Sequence, residues 1–197
     1  MWHSRSVRHE AMRVFLAVNL PDGVRRELHR STRHIREAAQ SVTWVRAEQL
    51  HFTVRFLGEV SEELLSRLSE EIAPVLATRE AFDIEIAGAG AFPAVERPRV
   101  IWVGVQDPAK LQALAAEVEG VVRALGFPAE PREFVPHLTL GRVKRPLSGA
   151  ELQALTRAVS GYEARFALRV AGVDLMSSVL RPQGPHYTML HNFPLAR

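Results

Sequence analysis

The chain has 197 residues, 47% hydrophobic and 24% charged, with a formal net charge of +3. This is globular composition in a chain long enough to bury a core without staples, and with no cysteine it excludes disulfides, thiolate catalysis and Cys-ligated metals. No apolar run approaches the roughly 18 residues of a membrane-spanning helix, and the N-terminus lacks the apolar core of a secretory signal, so a soluble cytoplasmic protein is expected.

Residues 1–11 are polar and unpatterned and read as a flexible extension; 12–197 read as one domain. MRVFLAVNLP (12–21) is a short run of β-formers stopped by Pro21, a buried strand. Residues 22–40 carry Val24, Leu28 and Ile35 at helical spacing, with Asp22 as N-cap. Residues 41–60 read as two strands around a turn. Residues 61–78 form a helix capped by Ser61, with acidic residues in its first turn. FDIEIAGAGAF (82–92) alternates as a strand with glycine bends, and VIWVGV (100–105) is a second strand. Its AGAGAF piece lacks the following helix that a dinucleotide loop requires. A helix over 107–126 takes Asp107 as N-cap, Pro108 first and Gly126 as C-cap. A strand over 134–143, a helix over 147–160 and strands over 162–178 and 186–193 complete an α+β chain with mostly antiparallel sheet.

The order repeats itself. His51-Phe52-Thr53-Val54 and His137-Leu138-Thr139-Leu140 share the pattern H-x-T-x, and a helix follows each. FDIEIAGAGAF (82–92) then aligns with FALRVAGVDLM (166–176). An Arg-Pro loop follows each of these, Arg97-Pro98 and Arg181-Pro182, and leads to VIWVGV and HYTMLH (186–191). Two pseudo-symmetric lobes are expected, helices outside, with the two H-x-T strands facing a central cleft.

In a strand, residues i and i+2 share a face. Each motif therefore projects a histidine and a threonine together, while Phe52, Val54, Leu138 and Leu140 point to the core. One neutral and one protonated imidazole supply a base and an acid near neutral pH. Threonine hydroxyls donate to anionic oxygens. That set suits in-line cleavage of a phosphodiester without a metal. Arg142 adds a fixed charge for the developing phosphorane. Arg55 shares the 51/53/55 face and could act likewise or lie at the rim. Either motif alone reads as an ordinary strand; the matched pair carries the inference.

No metal or other cofactor is expected: His186 and His191 do not share a face, and no HExxH or HxH occurs. His3, His9, His29 and His34 read as solvated. Trp44, Trp102 and Phe56 read as core or cleft wall.

HFTVRFLGE (51–59) and FVPHLTLGR (134–142) resemble the paired motifs of the two-histidine phosphoesterase superfamily. RVFLAVNLP (13–21), GAFPAVERPRVIWVGV (90–105) and LMSSVLRPQGPHYTML (175–190) are similar to its RNA 2′,3′-cyclic phosphodiesterase branch, also called 2′-5′ RNA ligase or LigT-like. The resemblance covers about residues 12–195. It implies hydrolysis of RNA 2′,3′-cyclic phosphate ends, tRNA fragments among them, to 2′-phosphates, with weak reversible 2′-5′ joining. It also implies that His51 is the proton donor and His137 the acceptor, that Thr53 and Thr139 hold phosphate oxygens, and that Arg142 assists. Symmetry alone does not assign donor and acceptor. A monomer without membrane attachment is expected. The rivals are a cyclic phosphodiesterase for a small nucleotide and an RNA-binding module with a dead cleft.

Overall fold

A computed structural model describes residues 11–182 and 184–197. All of the expected extension except Ala11 lies outside the described residues. The elements in chain order are β1 (Met12–Asn19), α1 (Asp22–Ser31), α2 (Arg33–Ala38), β2 (Val42–Trp44), a 3₁₀ turn (Ala47–Gln49), β3 (His51–Val60), α3 (Glu62–Ala77), β4 (Phe82–Phe92), β5 (Val100–Val105), α4 (Ala109–Ala124), β6 (Leu138–Val143), α5 (Gly149–Ser160), β7 (Arg165–Val170), β8 (Gly172–Arg181) and β9 (Gly184–Pro194).

The strands make one curled antiparallel sheet, in the order β7-β4-β5-β6-β3-β1-β8-β9, with β2 on β6. It divides into two lobes, β3-β1-β8-β9 and β6-β5-β4-β7, as the duplication implies. The lobes meet between the two motif strands at one pair, Phe52 with Leu138. Strands of the two repeats pair again within the second lobe, where β4 and β7 run antiparallel, from Phe82 opposite Val170 to Ala87 opposite Arg165. Both seams are symmetric under the repeat.

The phase of the repeat differs from the expected one. β5 lies between β6 and β4, as β1 lies between β3 and β8, so β5 corresponds to β1. β9, with which the sequence pairs it, sits at the sheet edge. Each unit is therefore strand, helix, motif strand, helix, strand. Its last strand, β4 or β8, is laid into the other unit's lobe. In β4 the pairing with β7 ends at Ala87 and the register against β5 slips between Ile86 and Ala89, around Gly88, whose φ of +71° a residue with a Cβ adopts poorly. In the second unit the same bend interrupts the expected strand over 162–178 at Ala171, giving β7 and β8.

Local differences have local causes. The expected helix over 22–40 is broken at Thr32, whose buried hydroxyl donates to the Leu28 carbonyl at 2.9 Å. Pro21 occupies the α1 cap, and Asp22 sits in the first turn beside Arg25 at 3.4 Å. Pro108 likewise caps α4, though the Asp107 carboxylate still accepts the Ala109 N–H at 3.0 Å. Ser61 caps α3 as expected. The strand expected from 134 begins at Leu138.

The helices cover one face of the sheet and enclose the main core, which includes Phe52, Leu138, Val14, Ile101 and Phe193. The other face is the cleft, where a small separate cluster of Phe15, Ala17 and Met176 is backed by Tyr187. No helix among the described residues is long and apolar enough to cross a membrane.

Candidate active site

Phe52 and Leu138 are fully buried on the helix face, so alternation turns His51, Thr53, His137 and Thr139 to the cleft. The two rings are anchored alike. His51 Nδ1 is 2.7 Å from the Gln49 carbonyl, and His137 Nδ1 is 2.7 Å from the Val135 carbonyl. A carbonyl can only accept, so Nδ1 carries a hydrogen and Nε2 is the titrating nitrogen in both. In the neutral ring, His51 Nε2 accepts from the Thr53 hydroxyl at 3.0 Å.

Aromatic rings fix the imidazoles from the sides. His51 lies 5.0 Å from Phe15 and 5.3 Å, edge-on, from Tyr187. His137 lies edge-on 5.0 Å from Phe92, itself 5.2 Å from Trp102. These neighbours escape a motif search. Tyr187 and Phe15 are detectable only as cleft-facing positions once strand phase is known.

Burial pushes the His51 imidazole from 6.5 down to about 4; the Gln49 carbonyl opposes this, and Arg25, His137 and Arg142 add to it. His137 is lowered by burial, opposed by the Val135 carbonyl and reinforced by Arg142. Tyr187 is raised by burial, with Arg142 opposing. Arg142 thus acts electrostatically on all three titratable groups of the cleft.

Two β-bulges decide which arginine reaches the cleft. On β3, Thr53 pairs with Ala17 and Arg55 with Leu16, so Val54 is an extra residue and the alternation slips. Arg55 turns to the helix side. There its guanidinium binds Glu119 at 2.7 Å and Glu130 at 3.0 Å, and donates to the Pro128 carbonyl. Neither a phosphate-facing role nor a rim position holds for Arg55. On β6, Thr139 pairs with Trp102 and Gly141 with Ile101, so Leu140 is extra. The slip places Arg142, three residues on, with Thr139 on the cleft face. Phe56, 60% exposed, takes the position on β3 that Arg142 takes on β6. Trp102 is cleft wall and crosses Gly90, where a Cβ would stand 2.4 Å from the indole. Trp44 packs at the core margin, its indole N–H on the Ala39 carbonyl at 3.1 Å.

Further out, Asp174 accepts from Asn19 at 2.7 Å and from Asn192 at 2.6 Å, tying β1, β8 and β9 behind His51. His34 is not merely solvated: it bonds the Ala158 carbonyl at 3.2 Å and stacks on Tyr162. His3 and His9 lie outside the described residues. Among the described residues no three His, Cys, Asp or Glu side chains cluster as a metal site.

Comparison with known proteins identifies the family of the chain. The family model for the 2′-5′ RNA ligase superfamily matches residues 21–182. A protein of Methanothermobacter thermautotrophicus named RNA 2′,3′-cyclic phosphodiesterase is 38% identical over 184 residues, covering 93% of this chain and 99% of the relative. One of the same name from Archaeoglobus fulgidus is 37% identical over 182 residues, covering 92% and 99%. The crystal structure of TT0787 from Thermus thermophilus superposes with a TM-score of 0.77 at 29% identity over 93% of this chain and 98% of that one. Escherichia coli LigT complexed with 3′-AMP gives 0.73 at 28% identity over 95% and 100%. Two H-x-T strands meeting on a pseudo-dyad, in a chain that these relatives match over more than nine-tenths of its length, place it plainly: it belongs to the 2′-5′ RNA ligase superfamily of two-histidine phosphoesterases.

Proposed function

We propose that the enzyme hydrolyses RNA 2′,3′-cyclic phosphate ends to 2′-phosphates by paired imidazole acid–base catalysis. The observation that carries this is the common anchoring of His51 and His137, which leaves both Nε2 atoms as the proton-exchanging atoms of one cleft face. His137 Nε2 removes a proton from water, the oxygen attacks phosphorus, and His51 Nε2 delivers a proton to the departing 3′ oxygen. One P–O bond forms and one breaks, giving a 3′-hydroxyl and a 2′-phosphomonoester.

Burial lowers both imidazoles, His51 to about 4, so a protonated His51 is a strong acid toward the departing oxygen. The bound phosphate, an anion, raises the protonated fraction of His51. Once His51 Nε2 is protonated it no longer accepts from Thr53, whose hydroxyl is freed to donate to a phosphate oxygen. Thr139 does the same from the other strand, and Arg142 stabilises charge building on phosphorus. A 5′-hydroxyl in place of water gives weak reversible 2′-5′ joining. Both motifs come from one chain, so a monomer suffices, and cytoplasmic RNA ends such as tRNA fragments present the required cyclic phosphate.

The deciding experiment is product analysis of an oligonucleotide ending in a 2′,3′-cyclic phosphate. A 2′-phosphate end is expected; an unchanged end, or a 3′-phosphate, overturns the assignment.

A further inference from the structure

One end of the sheet carries a charged groove that the cleavage chemistry does not use. Beyond Arg142, β6 runs into Val143, Lys144 and Arg145; beside it the β4–β5 connection carries Glu96, Arg97 and Arg99. These residues, with Leu152 of α5, line an open groove of about 520 Å³. Arg97, Arg99, Lys144 and Arg145 are all exposed. None takes part in the ion pairs found among the described residues, whereas Arg55, Arg79, Arg165 and Arg169 each hold a carboxylate. Glu96 is the single carboxylate in the lining, so the groove is strongly positive.

The backbone ties the walls of the groove to the strands that carry the cleft. Val143 N–H donates to the Arg99 carbonyl at 2.9 Å, and Arg99 N–H to the Phe92 carbonyl at 2.7 Å. Phe92 is the residue whose ring meets His137. Arg142 pairs with Val100, one residue from Arg99. The groove therefore begins one residue beyond Arg142 along β6, at Val143.

We propose that the groove binds the backbone phosphates of the single-stranded RNA preceding the reacting end. The inference rests on the function proposed above. A 2′,3′-cyclic phosphate closes the 3′ end of a strand, so all remaining nucleotides leave the cleft from the 5′ side of the terminal sugar. Exposed guanidiniums suit their phosphates, and contacts to the backbone carry no base sequence. The groove makes the enzyme prefer oligonucleotide ends to a cyclic mononucleotide, whatever the sequence.

The test compares a cyclic-ended octanucleotide with a 2′,3′-cyclic mononucleotide, using wild type and the double variant Arg97→Ala/Arg145→Ala. For wild type, kcat/KM on the octanucleotide falls steeply with salt. Removing two phosphate contacts lessens the slope of log kcat/KM against log salt by about 1.4, roughly a sevenfold difference across a fourfold salt change. Mononucleotide turnover is unchanged, and the variant's circular dichroism and Tm match wild type. The same loss on both substrates, or an unaltered octanucleotide slope, overturns the groove. Wild type inactive on both substrates overturns instead the function on which it rests.

Discussion

The Nε2 of His51 stands 3.0 Å from the Thr53 hydroxyl, two residues along the same strand, while His137 Nε2 has no such bond to Thr139. The hydroxyl donates to the neutral ring and so favours that form. Thr53→Val therefore moves the His51 titration upward as well as removing a phosphate contact, while Thr139→Val removes only the contact. Each lowers kcat/KM by about 10- to 100-fold, the effect of one hydrogen bond to a charged group. Complete pH profiles of both variants check this; equal displacement of both profiles counts against the asymmetry.

A bell-shaped dependence of kcat/KM on pH is expected, with its maximum on the acid side of 6.5. Both imidazoles are lowered, one to about 4, and the active form carries one proton between them. Below the bell both rings are protonated and no base remains; above it both are neutral and no acid remains. Bound phosphate favours the imidazolium, so the limbs of kcat lie at higher pH than those of kcat/KM. Steady-state kinetics from about pH 4 to 8 measure both, and a maximum above 7 in kcat/KM contradicts the burial effect.

His51→Ala and His137→Ala are each expected to lose about 10²–10⁴-fold in turnover while remaining folded. A nitrophenyl phosphodiester needs no protonation of its leaving oxygen. With that substrate His51→Ala recovers and His137→Ala does not. Recovery of His137→Ala alone exchanges the two roles.

Arg55 and Arg142 separate stability from chemistry. Arg55 is 10% exposed and bound to Glu119 and Glu130, so Arg55→Met costs about 1.5–3 kcal/mol. At roughly 2–4 °C per kcal/mol, this is a drop of several degrees in Tm. Arg142→Ala leaves Tm near wild type and reduces kcat. Thermal melts alongside kinetics distinguish them, and a large kcat loss at unchanged Tm in Arg55→Met contradicts the placement of that residue.

Chelation is expected to leave turnover intact. The proposed steps are served by the two imidazoles, the threonines and Arg142. Loss of activity in EDTA, restored by a divalent ion, contradicts this.

Much of the fold was legible because the repeat is written in residues: two H-x-T strands, two following helices and the aligned 82–92 and 166–176. The lobes follow from the repeat, and the shared cleft face from alternation. Bulges were illegible, because an extra residue at Val54 or Leu140 leaves no mark in a pattern of apolar residues. Alternation therefore put Arg55 on the wrong face, and only the slip explains how Arg142 joins Thr139. The repeat phase was misplaced for a related reason. VIWVGV and HYTMLH are both strands after Arg-Pro loops, but strand order decides equivalence, and local sequence does not encode which neighbour a strand pairs with.

The exchange of β4 and β8 between lobes has a consequence for how the chain can be divided. A cut between Phe92 and Val100 separates the two sequence repeats, yet neither fragment owns a full lobe. The first lacks β8 to cover β1, and the second lacks β4 to cover β5. Each piece alone exposes a bare strand edge, inviting self-association. Co-expressed, the fragments can satisfy those edges only by interlocking. The halves are obligate complements, and a primordial single repeat would have needed a second copy of itself to close.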